Sequence, residues 1–177
     1  MEEQGLLGSE YFAEHPLWPR NHIVGVLNTD ADGPKGPAHD MALGGNGQSE
    51  LEDYLAGALK TQNRVISPDP EPEKGGFFRS DHFSLARFGI PAISLGGGTD
   101  LIDGGKDAGK TLREDYLQHR YHQPTDEWSA DWDLRGPLED LQAMYMAGDT
   151  LANSDVWPGW KAGSEFKAKR DAMMGVK

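Results

Sequence analysis

Ile23-Val24-Gly25-Val26-Leu27-Asn28-Thr29-Asp30 is the stretch on which the fold turns. Its continuous apolar run, bounded by Asn21-His22 and by Asn28-Thr29-Asp30, suits a strand buried on both faces. Asp30 then falls at or just past the carboxyl end of that strand. Pro91-Ala92-Ile93-Ser94-Leu95 repeats the pattern and is stopped by Gly96-Gly97-Gly98, while Met41-Ala42-Leu43 and Val65-Ile66 read as shorter strands.

Helical signals lie between and around these runs. Ser9 is a candidate cap for a short helix through Glu14, closed by Pro16. Ser49 caps the clearest helix, whose Leu51, Tyr54, Leu55, Ala58 and Leu59 follow the i, i+3, i+4, i+7, i+8 pattern. Asp81 to Phe88 reads as a helix ended by Gly89, and Pro137 to Asn153 as a last amphipathic one. Residues 31–40 and most of 99–135 read as loop, with a possible helix near 110–118, and 68–74 as an extended exposed connection. Strands alternating with helices predict a three-layer αβα fold around a mostly parallel sheet. Ligands of such sheets bind beyond the carboxyl ends of the strands.

Composition limits what the chain does. At 177 residues, with 37% hydrophobic residues and five tryptophans, it is long enough for one domain with a real core. The balance of 17 basic against 29 acidic residues, a net charge of −12, repels phosphate backbones and argues against nucleic acid as a partner. Cysteine is absent, which excludes disulfides, thiolate nucleophiles and cysteine-ligated metal sites; any metal must be held by His, Asp or Glu. No apolar run approaches the roughly 20 residues of a membrane span, and the N-terminus lacks the basic-then-apolar pattern of a signal peptide.

Three stretches hold metal-type residues: Glu2-Glu3, Asn28-Thr29-Asp30 and Tyr121-His122-Gln123-Pro124-Thr125-Asp126. Each alone is weak, since adjacent carboxylates arise by chance in so acidic a chain and a strand-end Asp is more often a turn former. Together Glu3, Asp30 and His122 supply the oxygen and nitrogen donors that zinc takes in a hydrolytic site. Glu2, next to Glu3 and pointing elsewhere, suits the base that takes a proton from water and delivers it to a leaving amine.

With Arg79-Ser80-Asp81-His82-Phe83 and Gly89-Ile90-Pro91-Ala92-Ile93 added, these motifs resemble, in order and spacing, the bacterial co-catalytic di-zinc aminopeptidases, zinc exopeptidases related to glutamate carboxypeptidases and, more remotely, glutaminyl cyclases. The resemblance runs through nearly the whole chain, including the tail Trp157-Pro158-Gly159-Trp160-Lys161. It implies Glu2 as general base, Glu3 and His122 as ligands of one zinc and Asp30 as a ligand of the other. Asp81 and His82 fall on a motif expected to support the site from behind, with helix capping by Asp81 as the bland alternative. Asp126 is expected to orient the His122 loop, and Tyr121 to line the substrate cleft. The implied substrate is a peptide with a free N-terminus, and relatives are largely periplasmic or secreted.

The match departs from the family pattern at one place. The relatives carry an upstream His-x-Asp stretch that supplies one zinc ligand and the bridging aspartate, and no His-x-Asp occurs in this sequence. The expectation is therefore residues 1–155 as the C-terminal portion of a zinc peptidase domain lacking its N-terminal strands, followed by a peripheral tail over 156–177. Such a chain is expected to hold at most one weakly bound zinc and to show little or no peptidase activity alone. A single-zinc glutaminyl cyclase and a non-catalytic remnant that binds a partner or metal are the alternatives.

Overall fold

The structure, a computed structural model, describes residues 1–30 and 33–176. Its sheet has four strands in the order β1-β4-β2-β3. These are β1 (Val26–Thr29), β2 (Asp40–Gly44), β3 (Val65–Pro68) and β4 (Ala92–Leu95). β1 runs parallel to β4 and β2 parallel to β3, while β2 meets β4 antiparallel through Leu43↔Leu95 and Gly44↔Ser94. The sheet is thus mixed but mostly parallel.

Alternation along the strands sorts the apolar residues onto two faces. Leu27, Met41, Leu43, Ile66, Ile93 and Leu95 pack with α2 (Leu51–Thr61) and α5 (Arg135–Ala152). On the opposite face, Val26 and Ala92 pack with Phe83 and Ala86 around α3 (His82–Ala86), where Phe77, Trp160 and Phe166 complete the cluster. α1 (Leu7–Glu14) adds Phe12 and Ala13 against Leu85 and Ile90. Helices on both faces of one sheet make the three-layer α/β architecture that the sequence predicts.

Several expectations need correction. The first strand is not Ile23–Leu27 buried on both faces: a 3₁₀ turn over Arg20–His22 precedes it, and sheet pairing starts where the Val26 amide donates to Pro91 O at 2.8 Å. As the end strand, with one neighbour, β1 is only half-buried. Ser9 does not cap α1, which starts from Leu6 in the left-handed region (φ 61°); its hydroxyl instead bonds Leu6 O and Ser84 Oγ. α2 starts from Glu50, which makes no side-chain cap bond, so Ser49 lies one residue ahead of the expected cap; from there its hydroxyl accepts from the Leu51 amide at 3.3 Å, and its amide donates to Glu52 Oε1 at 2.9 Å. α3 is shorter than 81–88, and Asp81 makes no side-chain cap bond.

The loop predicted over 31–40 begins at Ala31 and Asp32, which lie outside the described residues, and β2 opens at Asp40. The stretch after β3 is not extended: Pro72–Lys74 and Gly76–Phe78 each form a 3₁₀ turn. Nor is 99–135 mostly loop. α4 (Gly105–His119) occupies much of it, and it escapes a periodicity reading because Gly109 is its one buried residue. Residues 157–176 are not peripheral either. Trp160 is 1% exposed and donates to Gly89 O at 3.0 Å, Phe166 joins the same cluster, and α6 (Lys167–Met174) buries Arg170.

Candidate active site

β1 ends at Thr29, so the next residue, Asp30, leaves the sheet at its carboxyl edge. A short relay holds it there. The Asn28 amide group donates to Ser80 Oγ at 2.9 Å, and the Ser80 hydroxyl donates to Asp30 Oδ2 at 2.9 Å. Ser80 is brought to this place by the turn that leads into α3, and it is itself buried. One side chain thus ties the carboxylate at the strand end to the opposite layer.

Glu2 and Glu3 arrive from a tight turn. Glu2 O accepts from the amides of Gly5 and Leu6 at 3.0 and 2.8 Å, and Leu6 and Gly5 both have positive φ. The turn feeds α1, which is fixed on α3 through Ser9–Ser84 and through Arg87–Glu10 at 2.7 Å. His122 comes from the far side, just past α4. The Tyr121 amide closes the end of that helix onto Tyr116 O, and His122 itself sits at φ 59°. From this turn His122 Nε2 reaches Glu3 Oε1 at 2.9 Å, joining residues 119 positions apart.

Two aromatic rings back the imidazole. Tyr121 stacks on His122 with ring centroids 3.8 Å apart, and Tyr116 lies 5.9 Å behind it. The Tyr116 hydroxyl donates to Asp126 Oδ2 at 2.9 Å; burial and that carboxylate push it up to about 12. Asp126 therefore touches the tyrosine wall and not the cleft.

These groups line one cleft of about 950 Å³, which includes Glu2, Glu3, Asp30, Ser80, Tyr121 and His122. Asp81 and His82 are not among its lining residues. His82 is fully buried on α3, edge-on to Phe77 at 4.7 Å, and neither ring nitrogen makes a hydrogen bond of normal geometry. Burial lowers it to about 4, although the Phe77 backbone and the Asp30 and Asp81 carboxylates pull the other way. Glu2 is shifted in the opposite sense. Burial first, then the Asp30, Glu3 and Asp81 carboxylates, raise its carboxyl above the usual range. Burial, then Glu3, Asp30 and Glu2, likewise raise the Tyr121 hydroxyl, and Arg79 opposes them.

The donor chemistry of Glu3, Asp30 and His122 suits zinc, but the placement does not. Among the described residues no three His, Asp or Glu side chains gather as a metal-holding group. Glu3 and His122 satisfy each other and Asp30 is taken up by Ser80. The expected ligands are thus brought together as a pair with a third carboxylate in the same cleft. Sequence reasoning gave no role to Ser80 and Asn28, whose support of Asp30 becomes visible only when β1 and the α3 turn are side by side. The cationic residues of the cleft, Arg79 and Arg120 among them, were equally silent.

An acidic cleft at the carboxyl edge of a mostly parallel sheet, holding a carboxylate–imidazole pair beside a carboxylate of raised proton affinity, is a candidate site for proton-transfer chemistry. The sequence pattern of Peptidase family M28 matches residues 1–146, and the chain belongs to that family. The resemblance read from the ordered motifs is borne out at this level: the family is one of zinc-dependent peptidases. No curated protein and no solved structure matches the chain significantly.

Proposed function

We propose that the chain acts as a metalloaminopeptidase-type exopeptidase, with Glu2, Glu3, Asp30 and His122 as its reacting centre. The observation that carries this reading is the 2.9 Å contact between Glu3 and His122, which joins two distant motifs in the cleft that Glu2 and Asp30 also line. The acidic end of the cleft suits the α-ammonium group of a peptide, a cation that three nearby carboxylates attract. Glu2 is the base. Its carboxylate takes a proton from the water that attacks the first peptide carbonyl, and gives that proton to the departing amine as the C–N bond breaks. A carboxyl with raised proton affinity is better matched to both halves of that transfer than an ordinary one.

Zinc belongs to the chemistry of the family, and Glu3, Asp30 and His122 are the donors this chain offers. Because they do not gather around one point here, turnover by these 177 residues is expected to be slow. The same observation favours a second reading, a remnant that binds peptide without cleaving it. Release of the N-terminal amino acid from a free-amine peptide, lost in Glu2→Gln and absent with an N-acetylated peptide, supports the enzyme. Binding without release supports the remnant.

A further inference from the structure

α5 packs on the rest of the molecule by two sides. Ala143, Ala147 and Leu151 enter the core over the sheet. Toward α2, Gln62 Nε2 donates to Glu139 O at 2.9 Å, and the Thr61 hydroxyl lies 3.8 Å from Met146 Sδ. The side left to solvent is nonetheless apolar. Leu134, Leu138, Leu141 and Tyr145 are 51%, 57%, 52% and 74% exposed. With Gly148 and Ala152 they follow one another at steps of four, three, four, three and four residues. That heptad spacing draws one straight seam along an 18-residue helix, about 27 Å long. A helix that is apolar along its outward line as well as on its core side calls for a second helix to cover it.

The seam itself specifies which helix. Large side chains, Leu134 and Leu138, stand at its N-terminal end, and Gly148 and Ala152 at its C-terminal end. A Cβ at Gly148 would meet Leu27 Cδ1 at 3.4 Å, so β1 borders the low end of the seam. An identical helix running antiparallel sets Leu134 against Ala152, Leu138 against Gly148 and its neighbour Leu27, and Leu141 against Tyr145, each contact made twice about a two-fold axis. A parallel arrangement sets large against large and small against small. The flanking charges keep the antiparallel register. Arg135 and Asp149 hold equivalent heptad positions on one side of the seam, and both are exposed, although Arg135 also binds Asp133 of its own chain. Antiparallel pairing brings Arg135 of each copy to Asp149 of the other, and the neutral Gln142 meets itself at the axis. We infer that the outward face of α5 is a homodimer interface, on which a second copy of this chain pairs antiparallel through Leu134, Leu138, Leu141 and Tyr145. One helix pair buries roughly half of the ~800 Å² per partner of a standard interface, so the dimer is weak, half-formed at a concentration on the order of 50 µM.

Sedimentation velocity from about 1 to about 200 µM tests it, at about 0.15 M salt, where screening limits the repulsion between two chains of net charge −12. The expected result is a rise in mean mass from 19.4 kDa toward twice that value. Leu141→Glu, at an exposed position, should weaken association more than about tenfold and leave the melting temperature of the dilute chain unchanged. Orientation is read by cross-linking, which the absence of natural cysteine makes clean. With oxidised glutathione, Gln142→Cys should link to itself, and Leu134→Cys, about 27 Å from its counterpart, should not. A chain that stays at 19.4 kDa throughout overturns the inference and leaves the seam to a helix of another protein. A dimer that Leu141→Glu does not weaken overturns it as well, because its contact lies elsewhere, and equal cross-linking of both cysteine variants overturns the antiparallel register.

Discussion

Glu2 and His82 show how the same fold moves two titratable groups in opposite directions. Glu2 is pushed toward its protonated form by partial burial first and by the carboxylates around it second, the direction that suits a proton carrier. His82 is buried against Phe77 and kept neutral, with its ionisation lowered from 6.5 to about 4. The stability consequence of His82 has a definite sign. Between pH 4 and 6.5 the unfolded chain binds the proton and the folded chain does not, so His82 leaves stability intact above pH 6.5 and erodes it as pH falls through that window. The loss is on the order of 3 kcal/mol at the acid end. Urea unfolding at pH 7 and pH 4.5 should show this slope in the natural chain and a much shallower one in His82→Phe. At this scale the motif residues were legible, since Glu2, Glu3, Asp30 and His122 carry donor types with a recognisable order. Ser80 was not, because its partners Asn28 and Asp30 lie about fifty positions away.

α4 is the element that decides whether the site forms, since the turn after it carries Tyr121 and His122. Its placement depends on Gly109. A Cβ at that position would lie 2.1 Å from Thr99 O, a backbone atom that has no room to yield. Gly109→Ala should therefore destabilise the protein by about 2 kcal/mol, as overpacking of a tight contact does. It should also move the His122 imidazole away from Glu3, read as a change in the His122 ring resonances by NMR. A shift in melting temperature of less than a degree would mean that the helix is free to slide. Sequence periodicity found α2 and α5, whose buried stripes face the sheet, and missed most of α4, whose surroundings are almost all solvent. β1 was found but displaced, because an apolar run marks where a chain is covered, and pairing with β4 continues through the polar Asn28 and Thr29.

At the scale of the whole molecule, residues 157–176 close the fold. Trp160 is sealed between Gly89 and the Phe77–Phe166 cluster, and Arg170 donates to Ile23 O and Pro158 O from a buried position. Trp160→Ala should cost about 4 kcal/mol, measured by chemical denaturation; a loss below about 1 kcal/mol would return the segment to the periphery where composition placed it. Tail burial was hidden from the sequence because it comes from contacts with residues more than seventy positions earlier, whereas the alternation of strands and helices, a local property, did announce the three-layer architecture. Among the described residues no helix is long and apolar enough to cross a membrane.

The account stands most directly on Glu2. With Ala-Leu as substrate, prolonged incubation of the chain should release alanine slowly, and Glu2→Gln should abolish that release while leaving peptide binding intact. Release at an equal rate by Glu2→Gln, or none from Ala-Leu by the natural chain, would contradict the assignment.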